Sequence, residues 1–185
     1  MTLSCDRRPA LLQTILRPLG ALLALALAGE GALAADDSCA TFTWDVGQVR
    51  ALFASAAQSI RAGHDSASAP LLAADQLYQL QLAPQGQVVM LLPPGKTAKF
   101  ADTYAGLARL QLARAGSYRV SIDQGAWIDV VDDGRMIDSS DFQGRPGCSA
   151  PHKIVQYLLP AAHELVLQVS GAAAPHLHLT ITAVD

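Results

Sequence analysis

From residue 116 to 170, apolar and polar positions alternate in runs at 118–122, 126–131 and 152–159, and again at 165–169. In the first run Tyr118, Val120 and Ile122 fall on one face and Arg119, Ser121 and Asp123 on the other, as a half-buried strand requires. Asp132-Asp133-Gly134 reads as a hairpin turn with glycine where positive φ is needed. Residues 160–164 and 171–175 supply two further turns, the second leading into a closing strand at 176–182. Upstream, 77–82 alternates, and 104–112 places Leu110 and Leu112 inward with Arg109 and Gln111 outward. The unbroken apolar run 88–92 suits a central strand buried on both faces or one covered by a helix. Residues 40–44 alternate like a half-buried strand. One helical pattern follows: Asp45 as cap, Gln48 at the capping-box position, and Val46, Val49, Leu52, Phe53, Ala56 and Ile60 at helical spacing before Gly63. That helix is expected across an edge or open end of the sheets, where it would shield strand backbone. Residues 64–75 read as a loop, and 96–102 as a polar, mobile stretch. The fold predicted is mainly β: an antiparallel β-sandwich of jelly-roll or Greek-key type, with about nine strands and one N-terminal helix.

The first residues follow a different logic. Arg7, Arg8 and Arg17 are basic, residues 19–28 form an apolar run too short to span a bilayer, and Ala32-Leu33-Ala34 has the small-x-small form of a cleavage site. Residues 1–34 are therefore read as a signal peptide, leaving 35–185 as a single domain in the periplasm or secreted, without a stable membrane anchor. The chain carries a formal charge of −3; losing three basic and two acidic residues with the leader makes it −4. That balance does not suggest a nucleic-acid or anionic-membrane partner, which would want a basic stripe. Cys39 and Cys148, 109 residues apart, are then most simply a disulfide, the alternative being two buried free thiols. Closing so long a loop stabilises by about 4–5 kcal/mol in the chain-entropy picture.

The segments Gly116-Ser-Tyr-Arg-Val, Ala126-Trp-Ile-Asp-Val-Val, Ser140-Asp-Phe-Gln-Gly, Cys148, His152-Lys-Ile-Val and Leu165-Val-Leu-Gln-Val-Ser-Gly resemble a family of small exported proteobacterial proteins of unassigned function. The likeness extends over most of the mature chain. The rhythm of a Gly-x-Tyr strand, an aspartate-bearing strand and a Leu-x-Leu-x-Val strand is also similar to bacterial pre-peptidase C-terminal domains, which are β-sandwich accessory modules. Some members of the first family carry the label homogentisate dioxygenase, which would imply an iron site.

A mononuclear iron site needs two histidines and a carboxylate on one face. His176 and His178, two apart on one strand, are the candidate metal ligands, but only Asp185 follows them and the mature chain's single glutamate, Glu164, sits in a turn. The aspartates Asp129, Asp132, Asp133, Asp138 and Asp141 match no calcium-loop spacing and read as turn chemistry. There is no Gly-x-Ser-x-Gly elbow around Ser139-Ser140. No catalytic residue and no cofactor is indicated. The candidate ligand-binding residues are Phe142, Gln143 and Arg145, in a loop pinned by Cys148, where a ring, an amide and a guanidinium could meet a periplasmic protein or a carbohydrate. The alternative is that Phe142 plugs the sandwich end and Arg145 pairs with an aspartate. Trp127 is expected in the core. The function expected is a non-enzymatic binding or accessory module; the alternative is a metal-dependent oxygenase using His176 and His178.

Overall fold

The computed structural model describes residues 37–96, 102–161 and 163–184. The expected signal segment and most of the polar stretch 96–102 lie outside these described residues. The strands are β1 (Gln58–Arg61), β2 (Leu71–Leu72), β3 (Leu77–Gln81), β4 (Ala83–Pro84), β5 (Tyr104–Gln111) and β6 (Gly116–Ile122). They continue as β7 (Trp127–Asp132), β8 (Arg135–Ile137), β9 (Ser139–Gly144), β10 (Lys153–Leu159), β11 (Glu164–Ala172) and β12 (His176–Ala183). One sheet, the A sheet, runs in the order β1-β3-β12-β6-β10-β9; the other, the B sheet, runs β2-β5-β11-β7-β8, with β4 also on β5. The two pack as a β-sandwich, as the alternation predicts.

The alternation decides which side chains meet. Tyr118, Val120 and Ile122 of β6, Leu177, Leu179 and Ile181 of β12, and Val155, Tyr157 and Leu159 of β10 share one core cluster with Ile128 and Val130, Leu165, Leu167 and Val169, and Ala108 and Leu110 of the B sheet. Each large side chain buried this way contributes about 1.5–3 kcal/mol. Tyr157 keeps its hydroxyl satisfied in the core by donating across the layers to the Ile128 carbonyl at 2.9 Å. The Asp133-Gly134 turn joins β7 to β8 with φ of 45° and 75°, the doubly positive form a two-residue hairpin needs.

Several expectations are corrected. Among the described residues there are twelve strands, and β1–β3 and β2–β5 pair in parallel, so the sandwich is not wholly antiparallel. The helix, α1 (Gly47–Phe53), is half the expected length. Ser55 ends it, its hydroxyl donating to the Leu52 carbonyl at 2.6 Å. The next residues become β1, because Ile60 also fits a period of two and gains a backbone partner beside Leu80 together with burial against the core. Gln48 bonds Asp75 at 2.9 Å instead of closing a capping box. Residues 37–41 form a 3-10 turn, so no strand runs at 40–44. Residues 71–72, inside the expected loop, form β2.

Both outer faces of the sandwich are roofed by chain that is not sheet. Over the A sheet, α1 packs against β12, an inner strand, not against an edge. Beneath that cover Ser121, Thr180 and Thr182 are buried. Over the B sheet runs the segment 88–96, which the apolar pattern assigned to a buried strand. Its Val89 is 69% exposed, and its backbone is held by a side chain: Gln168 Oε1 accepts from the Leu91 and Leu92 amides at 2.7 and 3.2 Å, and Gln168 Nε2 donates to the Leu92 carbonyl at 3.2 Å. A short apolar run satisfies such a strap as well as it satisfies a strand.

Candidate functional site

Phe142, Gln143 and Arg145 do not share one binding loop. Phe142 and Gln143 lie on β9, the last strand of the A sheet, where Phe142 is opposite Val155 and Gln143 opposite Ile154. Gln143 exchanges hydrogen bonds with Thr43, accepting from its amide at 3.0 Å and donating to its hydroxyl at 2.6 Å. Arg145 donates to the Thr41 carbonyl through Nε and Nη2 and lies over the Phe42 ring at 5.1 Å. Both side chains thus fasten the N-terminal segment beside the Cys39–Cys148 disulfide. Phe142 is left alone, 66% exposed. It does not plug the sandwich end, and Arg145 pairs with no aspartate among the described residues.

The edge that carries Phe142 is shaped. The register between β9 and β10 shifts near Gln156 and Tyr157, and the Phe142 amide is taken by the Asp141 carboxylate at 2.7 Å. A bulge and an acid on an edge both discourage strand addition. What this edge strand exposes is therefore a ring on the face it shares with Val155.

His176 and His178 stand on the same face of β12, as their spacing requires, but they are used differently. His178 is clamped by Asp123, which accepts from its amide at 3.0 Å and faces its Nδ1 at 2.7 Å. His176 is exposed, and its ring has no partner among the described residues. Among those residues no group of three His, Cys, Asp or Glu side chains converges. A third histidine, His64, forms a compact cluster with Asp65 and Ser68 that has the composition of a hydrolytic triad. Its order is wrong for that chemistry. Ser68 donates to Asp65 at 2.7 Å and lies farther, 3.2 Å, from His64 Nδ1, and its oxygen accepts from the His64 and Asp65 amides, so the hydroxyl stabilises a turn. Hydrogen bonds from Ser68 in turn hold the Asp65 carboxyl below its ordinary range.

Trp127 was expected in the core and lies instead on the outer side of the B sheet, half-buried. Its indole nitrogen donates to Asp129 at 2.8 Å, while the other carboxylate oxygen takes the Gly95 amide at 3.1 Å. Lys153 stands 4.9 Å and Lys96 5.8 Å from the ring centroid. Burial pushes the Asp129 carboxyl up, partly offset by the bonds from Gly95 and Trp127, and pushes the Lys153 ammonium down. Trp127 reads as core by composition, yet its parity with Asp129 places it outside: Ile128 and Val130 take the inner positions. The group pins the strap onto the sheet through the Gly95 amide, and two ammonium groups stand near the ring.

Two clefts set histidines beside charged side chains. One, about 580 Å³, is lined by Asp132, Asp133, Arg135, His163 and Glu164, but His163 is paired with Asp132 and Glu164 with Arg109. The other, about 520 Å³, lies at the β1 edge and holds Arg61 and His176. No protein-family model matches the chain, and a search of curated proteins gives no match either.

Proposed function

We propose that this chain is an exported, non-catalytic binding or accessory module, and that it meets its partner through β9, with Phe142 as the anchor. The observation that carries this reading is the exposure of Phe142 on a strand that a disulfide, Arg145 and Gln143 hold rigid. A ring carried on backbone that is already ordered spares the cost of ordering that backbone on binding, which favours its use as an anchor. Export is supported by the disulfide, by the signal-like leader and by the resemblance to exported proteins; no described helix is long and apolar enough to cross a membrane. A binding role is supported by the way the polar groups are occupied, His178 by Asp123 and Ser68 by Asp65. The partner is a protein rather than a carbohydrate, because the amide and guanidinium that would hydrogen-bond a sugar are engaged with Thr43 and Thr41.

Capture of a partner from periplasmic extract by the wild-type protein, lost on Phe142→Ala with the unfolding midpoint kept, is the expected result. Exposed substitutions shift stability by about 0.5 kcal/mol or less. Capture that survives the substitution, or retention on a polysaccharide matrix in place of a protein, would overturn this reading.

A further inference from the structure

At the opposite edge of the A sheet from Phe142, the register aligns three nitrogen-bearing side chains. Arg61 of β1 is opposite Gln81 of β3, and Gln81 is opposite His176 of β12. Residues paired across neighbouring strands share a face and stand about 5 Å apart, so the three form one row. Two of them are uncommitted: neither the Arg61 guanidinium nor the His176 ring has a hydrogen-bond or ion-pair partner among the described residues. The row opens into the cleft of about 520 Å³, whose other walls include Leu82 and Pro175. This wall is held firmly. The chain leaving β1 crosses to the B sheet, where Gly63 and Leu107 exchange backbone hydrogen bonds at 2.8 and 2.9 Å, and Leu82 donates to the Pro175 carbonyl at 2.8 Å. Gly106 makes room for the crossing, since a Cβ there would lie 2.4 Å from that of Ala62.

We propose that this cleft binds a small organic carboxylate, gripped by Arg61 and His176 with its apolar body against Leu82 and Pro175. A guanidinium offers two parallel donors that match a carboxylate, and imidazole adds a donor nitrogen in either tautomer. The cleft's volume is that of a small-ligand site. Asp65, next in sequence to the cleft's His64, is already bound to Ser68 and His64 and makes no ion pair with Arg61. This site is independent of the Phe142 surface, and either can fail without the other.

The test is a nuclear magnetic resonance titration of the purified protein with benzoate, inorganic phosphate and chloride in turn. Benzoate is expected to shift the Arg61 side-chain and His176 ring signals saturably, with a Kd of about 1 mM, tighter than phosphate. Arg61→Gln should weaken benzoate about tenfold, and His176→Gln a few-fold, each with the unfolding midpoint kept because both side chains are exposed. Should Arg61→Gln fail to fold, Arg61→Lys, which retains charge but not the fork, is expected to weaken binding several-fold. Shifts that chloride reproduces, phosphate binding as tightly as benzoate, or benzoate affinity indifferent to these substitutions would each overturn the assignment.

Discussion

Arg145 reaches back across 104 residues of sequence to the carbonyl of Thr41, with Nε at 3.0 Å and Nη2 at 2.8 Å. The disulfide joins the same two regions of chain, so the cover over the A sheet is attached at one end by a covalent bond and a forked hydrogen bond together. Arg119 holds it further along, its guanidinium 4.3 Å from the Trp44 ring centroid and bonded to the Asp45 carbonyl at 3.2 Å.

Removing the Arg145 fork should loosen this cover without unfolding the sandwich. Arg145→Ala is expected to cost about 1–2 kcal/mol, the range for hydrogen bonds from a charged donor at a partly exposed site. Limited proteolysis should then cut first within residues 39–53, and unchanged protection there would count against the clasp.

Reduction of Cys39–Cys148 should cost more, about 2–4 kcal/mol, because it releases a long loop in the unfolded chain. Calorimetry with and without reductant measures the difference. Alkylation of two thiols in the untreated protein would show that the bond does not form.

Gln168 is only 1% exposed and makes three hydrogen bonds to the strap over the B sheet. Gln168→Ala is expected to destabilise by about 2–3 kcal/mol, since it leaves backbone groups of Leu91 and Leu92 without partners. Hydrogen exchange at those two amides should accelerate well before exchange in β11 does.

Asp129 should make stability fall as pH rises. Its carboxyl titrates above the ordinary 3.8 in the folded protein because burial disfavours the charge. Between that ordinary value and the folded one, the folded state holds the proton that the unfolded state has released, so stability is full below the window and declines through it. Asp129→Asn should lack this component, giving a flatter urea midpoint against pH than wild type. Parallel profiles for the two proteins would refute the linkage.

Ser121 and Thr180 sit opposite each other on β6 and β12 under the N-terminal cover, and neither hydroxyl has a hydrogen-bond partner among the described residues. Thr180→Val should therefore be neutral or stabilising by up to about 1 kcal/mol, as it removes a buried unpaired hydroxyl while keeping shape. A clear loss of stability would reveal a bonded hydroxyl.

What the sequence determined by itself is the part of the fold governed by period. Where apolar positions alternate with charged or amide ones, as in Tyr118-Arg-Val-Ser-Ile and Leu165-Val-Leu-Gln-Val, only a half-buried strand buries the one set and solvates or bonds the other, and β6 and β11 form there. The disulfide was legible from two cysteines in a chain whose first residues read as an export signal. Short apolar runs were not decided locally. Residues 88–92 fit a buried strand equally well, and the side chain of Gln168, brought up by β11, together with the His64 carbonyl that takes the Val89 amide, turns them into a strap. Ile60 fits both a helical and a strand period, and the open edge of β3 settles it. For the sites, proximity in sequence misled. Phe142, Gln143 and Arg145 are neighbours in the chain, yet the latter two are claimed by Thr43 and Thr41 from the far end. Arg61, Gln81 and His176 are far apart in the chain, and only pairing of β1, β3 and β12 sets them in one row. Strand register is a tertiary property, because it depends on which strands become neighbours, and no local pattern specifies that.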